Sequence, residues 1–424
     1  NDGARGSDRT YIQLLSHALV TTTQAFTKNA VVLDLNGFTL DGNGITGDQA
    51  SVVTVTDATL TIKDSGTTGR ITGGRGTVKG GFACGGGVYV GLGNLTLKGG
   101  SIEGNSAYNG GGVYFNGSTF TMTGGGIKGN SATSGGGGVY NLNGKFAMSA
   151  SASVSGNTAN IGGGVYVYSS VTYILPIELS MSASASVSGN TANIGGGVYL
   201  HTAPGSIVSS TLSMSGSASI TGNTANSGGG VYVDSGDSTL QGGAVSGNKA
   251  TSGGGVYVKG GKLTLNGSTV TGNTATDDGG GVYVHTGTFD MGNGTISNNT
   301  AYGGGGVYVH TGTFDMGNGT ISNNTAVNGG GGVVVYAGGT FDMKGGSLSN
   351  NEAVYGGGAH VGASGTLNMS GSASITGNAA RGINGGGGVY IYNRTAAFTV
   401  SGAPVIWTNA GSNVYLAKDE IDVA

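Results

Sequence analysis

The sequence predicts an all-β fold: a single-domain parallel β-helix of about fourteen coils, each of roughly 25 residues. Three observations predict it. Glycine fills 94 of 424 positions, against a usual share of roughly 7%, while proline occurs three times. Gly-Gly-Gly-Val-Tyr segments recur along the chain, with valines at Val88, Val113, Val139, Val165, Val198, Val231, Val256, Val282, Val307 and Val389. Degenerate copies put Val333 and Ala359 in the same slot, so that most spacings are 25 or 26 residues and three are 30 or 33. Within each copy the apolar residues alternate with a period of two and never with a helical period.

Composition excludes several alternatives. Collagen needs glycine at every third position with abundant proline. A flexible linker would not be 37% apolar. Glycine costs about 1 kcal/mol per helix-interior position, which removes helical bundles. Only 9% of residues are charged and the formal net charge is −3, so no nucleic-acid partner is expected. No apolar run reaches the roughly 18 residues of a membrane span, and no membrane insertion by this chain is expected. The single cysteine, Cys84, allows no intrachain disulfide. The polar opening Asn1–Ser7 lacks a signal-peptide pattern and reads as that of a mature or truncated product.

One copy shows how a coil is built. In Val282-Tyr283-Val284 the valines share a face and the tyrosine takes the other. His285-Thr286-Gly287 turns, and Thr288-Phe289-Asp290-Met291 points Phe and Met inward. Gly292-Asn293-Gly294 turns again before Thr295-Ile296-Ser297. Asn299-Thr300-Ala301 and the glycines 303–306 close the circuit. Three short strands cannot bury their own apolar face, but stacked copies make a continuous core.

Stacking requires that equivalent slots carry equivalent residues. All eight methionines occupy one slot: Met122, Met148, Met181, Met214, Met291, Met316, Met343 and Met369. An Asn-x-Ala anchor gives a second column: Asn105, Asn130, Asn157, Asn190, Asn223, Asn248, Asn273, Asn299, Asn324, Asn351 and Asn378. The residue three before each of these asparagines is Ile, Val or Leu. An amide both donates and accepts, so the asparagines are expected to form a structural ladder.

The run Val154-Ser155-Gly156-Asn157-Thr158-Ala159, followed by Gly162-Gly163-Gly164-Val165-Tyr166, resembles the paired motif of bacterial right-handed β-helix surface proteins. It is similar to the Phe-x-x-Asn and Gly-Gly-Ala-Ile pattern of the chlamydial polymorphic outer-membrane proteins, adhesin-type repeats, but with Val, Ile or Leu in the Phe slot. The resemblance covers about residues 82–392. It implies a right-handed coil, secretion or display at the cell surface, and adhesion without enzymatic activity.

The ends and outward stripes carry the functional candidates. Residues 1–30 are expected to form an arm and a short capping helix, with Tyr11, Ile12, Leu15 and Leu19 on one side; 31–418 form the β-helix and 419–424 a charged tail. Tyr89, Tyr114, Tyr140, Tyr166, Tyr199, Tyr232, Tyr257, Tyr283 and Tyr308 share an outward slot, which Val334 and His360 interrupt before Tyr390 and Tyr415 resume it. Such a row either binds sugars or proteins as an exposed aromatic platform or only stiffens the sheet. Two coils are lengthened at one place, by 169–178 and by 201–210. The first insertion holds Tyr173, Ile174, Leu175 and Ile177, expected to be an exposed contact or a flap packed on the sheet. Asp290, Asp315 and Asp342 share another outward slot, where a surface-bound divalent cation or a basic neighbour would relieve their repulsion.

No second acid, cleft-forming loop or basic cluster is evident beside those aspartates, so no catalytic residue and no cofactor is expected. The leading expectation is a non-enzymatic, extracellular structural or adhesive β-helix that self-associates head-to-tail into a fibre or engages a glycan or protein on a host or neighbouring cell. The alternative is a carbohydrate-binding or polysaccharide-degrading β-helix.

Overall fold

The computed structural model describes residues 9–27, 29–172 and 174–417. The expected arm Asn1–Ser7, the loop residue Tyr173 and the tail 419–424 lie outside the described residues. The chain divides into two compact units, one of Asn1–Asn193 with Gly197–Leu212, the other of Ile194–Gly196 with Ser213–Ala424. Both are parallel β-helices built on the same coil.

A coil of the second unit contains the strands Val282–Val284, Thr288–Met291, Thr295–Ser297 and Thr300–Ala301. Each pairs in parallel with its equivalent in the next coil: Val282 with Val307, Met291 with Met316, Ile296 with Ile321, Thr300 with Thr325. Identical residues therefore sit directly over one another. The first two strands share one sheet, the third lies in a second, and the short fourth in another. The fourth strand adds to the expected three. The third strands stack seven deep in the first unit, from Ala18–Leu19 to Ser186–Ser188, and eight deep in the second, from Ser219–Thr221 to Val405–Trp407, among the described residues.

The core follows from the alternation. All eight methionines are at most 1% exposed, and the Ile/Val/Leu column of the third strand is fully buried. Phe289, Phe314 and Phe341 stack with ring centroids 4.5 Å apart. Burial of each such side chain is worth about 1.5–3 kcal/mol. The position before each ladder asparagine needs a left-handed backbone: Gly272 has φ +64°, and Asn298 takes the same slot at φ +56°.

The N-terminal capping helix is not formed. Arg9–Gln13 is a strand paired in parallel with Ala30–Asp34, and Ala18–Leu19 pairs with Leu40–Asp41. A lone helix of about a dozen residues is marginal in water, whereas the Ala30–Asp34 edge offers a full row of backbone partners. Tyr11, Ile12, Leu15 and Leu19, expected to face the core, are exposed. One local departure from parallel pairing follows, where Gly76–Lys79 pairs antiparallel with Gln49–Ala50 and with Phe82–Cys84.

Asp34 ties these first coils together. Its buried carboxylate accepts hydrogen bonds from the backbone N–H and hydroxyl of Ser65 and from the hydroxyl of Tyr11, and Lys63 Nζ stands 3.1 Å away. Burial alone would raise its pKa, but the Ser65 and Tyr11 hydrogen bonds outweigh that and hold it well below the usual carboxylate range.

Candidate functional site

The polar columns are occupied with one another. Asn273 shows how a ladder amide spends both its hydrogens and its oxygen. Asn273 Nδ2 donates to Val245 O and to Asn299 Oδ1, both at 3.0 Å, while Asn273 Oδ1 accepts from the side chain and backbone N–H of Asn248. In the first unit the pattern runs from Asn105 through Asn130 and Asn157 to Asn190. In the second it runs from Asn223 to Asn378 and continues into Asn409 and Asn413. The extension to Asn409 was legible, since Ile406 stands three residues before it.

The aspartate column is answered by lysines rather than left to repel. Lys262 Nζ lies 2.5 Å from Asp290, Lys344 Nζ lies 2.6 Å from Asp315, and Asn368 donates to Asp342. Among the described residues, no three His, Cys, Asp or Glu side chains converge as a metal site.

The tyrosine row does not form the freely exposed platform envisaged. Tyr114, Tyr140, Tyr199 and Tyr232 are buried, and Tyr89, Tyr166, Tyr257, Tyr283, Tyr308 and Tyr390 are half-buried. The rings lie on one another, 4.7 Å apart for Tyr257 and Tyr283 and 5.2 Å for Tyr283 and Tyr308. Corner glycines let them settle: a Cβ on Gly279 would come within 2.8 Å of Tyr283 Cβ. Burial raises the phenol pKa of Tyr114, Tyr140 and Tyr308. Beneath the first rings, burial pushes the Cys84 thiol up to about 11, so it is no reactive thiolate.

Of the loop candidates, Ile174 and Leu175 are exposed, whereas Ile177 is buried. Ile177 opens the strand Ile177–Met181 and takes an inward slot, which excludes it from any contact surface. Ile207, on the neighbouring insertion, is exposed as well. The two insertions are tied by serines: Ser169 Oγ lies 3.0 Å from Ser206 Oγ and donates to Val208 O, and Ser206 Oγ donates to Ser170 O.

The break in the tyrosine row has a consequence of its own. Tyr308, Val334, His360 and Tyr390 follow one another in register. Valine is too short to continue the stack, and a hollow of about 280 Å³ opens there. Tyr302, Tyr336 and Tyr392, each 42–49% exposed, line it together with Tyr308. Asp277, Asp278 and Asn328 supply its polar lining, and among the described residues no lysine or arginine lines it. Burial, then the neighbouring charge of Asp277, lifts the Asp278 carboxyl to about 7. Burial lowers His360 to about 4, so its imidazole is neutral at pH 7, and its Nδ1 has no hydrogen-bond partner among the described residues. The hollow is therefore aromatic-walled and negative.

Residues 210–380, which contain this hollow's Asp277, Asp278, Tyr308, Val334 and His360, match the family model of the right handed beta helix region. The fold is a right-handed parallel β-helix. Comparison with curated proteins and with solved structures gave no significant match. The sequence pattern of this β-helix flagged Val334 and His360 as an interruption but not Asp277, Asp278, Tyr302, Tyr336 or Tyr392, which lie in turns where the residue type changes from coil to coil. The adjacent acids in an otherwise sparsely charged repeat were the available signal.

Proposed function

We propose that this chain is a non-enzymatic extracellular β-helix with a structural and adhesive role, and that it self-associates through its two long loops. The observation that carries the reading is the exposure of Ile174 and Ile207, 73% and 79%, on neighbouring insertions cross-linked by serine hydrogen bonds. Exposed branched aliphatics held on an ordered base are what a contact surface needs. The ladder asparagines and the aspartate–lysine pairs support the scaffold part, because they are engaged in coil-to-coil bonds.

Sedimentation and electron microscopy of the purified chain test this. The native chain is expected to form oligomers or filaments as concentration rises, and the variant Ile174→Ser/Leu175→Ser/Ile207→Ser to stay monomeric with an unchanged circular-dichroism spectrum. A native chain that stays monomeric at every concentration overturns self-association. Cleavage of a polysaccharide by that monomer would favour the degradative alternative.

A further inference from the structure

The hollow opened by Val334 has the chemistry of a cation receptor. Four tyrosines, Tyr302, Tyr308, Tyr336 and Tyr392, line it together with Asp277 and Asp278. Ring faces attract cations through their quadrupole, and the attraction strengthens where water is displaced. The two carboxylates add negative charge, and among the described residues no lysine or arginine lines the hollow to neutralise it. Four other acids of this unit have a basic partner: Asp234 with Lys259, Asp290 with Lys262, Asp315 with Lys344 and Glu352 with Arg381. His360 does not supply the missing charge, since it is neutral at pH 7.

Size narrows the ligand. A hollow of about 280 Å³ falls just below the roughly 300–1,000 Å³ of ordinary small-molecule sites. It has room for one compact head group rather than an extended glycan. A hydrated metal ion would gain little from ring faces, whereas an alkylammonium buries methyl or methylene groups against them while its charge meets the carboxylates.

We propose that the hollow between Tyr308, Val334 and His360 binds an organic ammonium group, seated on the tyrosine faces and neutralised by Asp277 and Asp278. Such a cation displaces the proton that Asp278 otherwise holds, so affinity rises with pH. The titratable groups around Asp278 are Asp277, Tyr283, Tyr308 and, across the hollow, His360 with Tyr302, Tyr336 and Tyr392.

Isothermal titration of the full chain with choline, with its uncharged isostere 3,3-dimethylbutan-1-ol and with methyl β-D-glucopyranoside tests the proposal. Choline is expected to bind one site, about tenfold or more tighter than the isostere, and tighter at pH 8 than at pH 6. Val334→Tyr, which continues the tyrosine stack from Tyr308 toward His360, is expected to abolish binding. Asp278→Asn is expected to weaken it about tenfold and to remove the pH dependence. Should Val334→Tyr fold poorly, Tyr336→Ser serves in its place. No heat with choline, equal binding of the isostere, binding of the glucoside alone, or undiminished binding by the variants would each overturn it.

Discussion

Asn273 and Asn299 meet through a single oxygen: Oδ1 of Asn299 accepts the side-chain amide of Asn273 at 3.0 Å and its backbone N–H at 2.9 Å. Both asparagines are fully buried. Replacing Asn299 therefore strands two donors on the coil before it.

Asn299→Ala is expected to cost about 2–4 kcal/mol, the sum of two unpaired buried donors. Asn299→Asp should cost at least as much, because a carboxylate accepts from Asn273 but cannot donate to Val270 O or Asn324 Oδ1, as Asn299 does. Urea unfolding followed by circular dichroism measures both. A loss below about 0.5 kcal/mol for either would contradict the ladder's energetic role.

The start of the first unit should be acid-sensitive through Asp34. Its folded pKa is depressed, so it contributes stability above the ordinary carboxylate range that is lost as pH falls through and below that range. Asp34→Asn is expected to destabilise by on the order of 2 kcal/mol at pH 7, by an amount that shrinks steadily as pH falls below the ordinary carboxylate range. Melting curves across that interval provide the check.

Asp278 and His360 should pull stability in opposite directions. Asp278 is raised to about 7, so the folded state keeps a proton the unfolded chain has lost, and stability falls as pH rises from about 4 to 7. His360 is lowered to about 4, so stability rises with pH from about 4 to 6.5. The native chain should show a flat response over that shared window. Asp278→Asn should leave a rising one, and His360→Phe a falling one, in urea midpoints measured from pH 4 to 7.

Thr408 precedes ladder residue Asn409 and adopts φ +55°, the slot that glycine fills at Gly272 and Gly377. A β-branched residue there is strained by about 1–2 kcal/mol. Thr408→Gly is expected to raise the stability of the last described coil by about 1 kcal/mol, visible as slower amide exchange at Ile406 and Asn409. Faster exchange would refute the strain.

Most of the fold was legible because a stacked coil repeats its instructions. The methionine and asparagine columns were fixed by register alone, and both appear as expected. What escaped lay where repetition stops. Residues 9–19 carry an amphipathic spacing that suits a helix, yet the edges at Ala30–Asp34 and Leu40–Asp41 win Arg9–Gln13 and Ala18–Leu19 as strands. Ile177 looked like part of an exposed loop because its neighbours Ile174 and Leu175 are one, while alternation with Met181 already placed it inside. The hollow depends on an absence, a short side chain in a row of long ones, and on acids and tyrosines from turns whose residue type changes from coil to coil.

The ladder also bears on how such a molecule can grow. Between neighbouring coils of a unit one amide donates and the next accepts, so a coil asks its neighbour only for the same residue in the same place. Residues 282–301 are identical to 307–326, and 148–166 to 181–199. A copied coil thus finds both of its interfaces ready-made. Gene slippage by one whole repeat yields a longer protein with nothing to redesign, whereas slippage by a fraction of a repeat breaks every column at once. Coil number is free to drift, and coil phase is not.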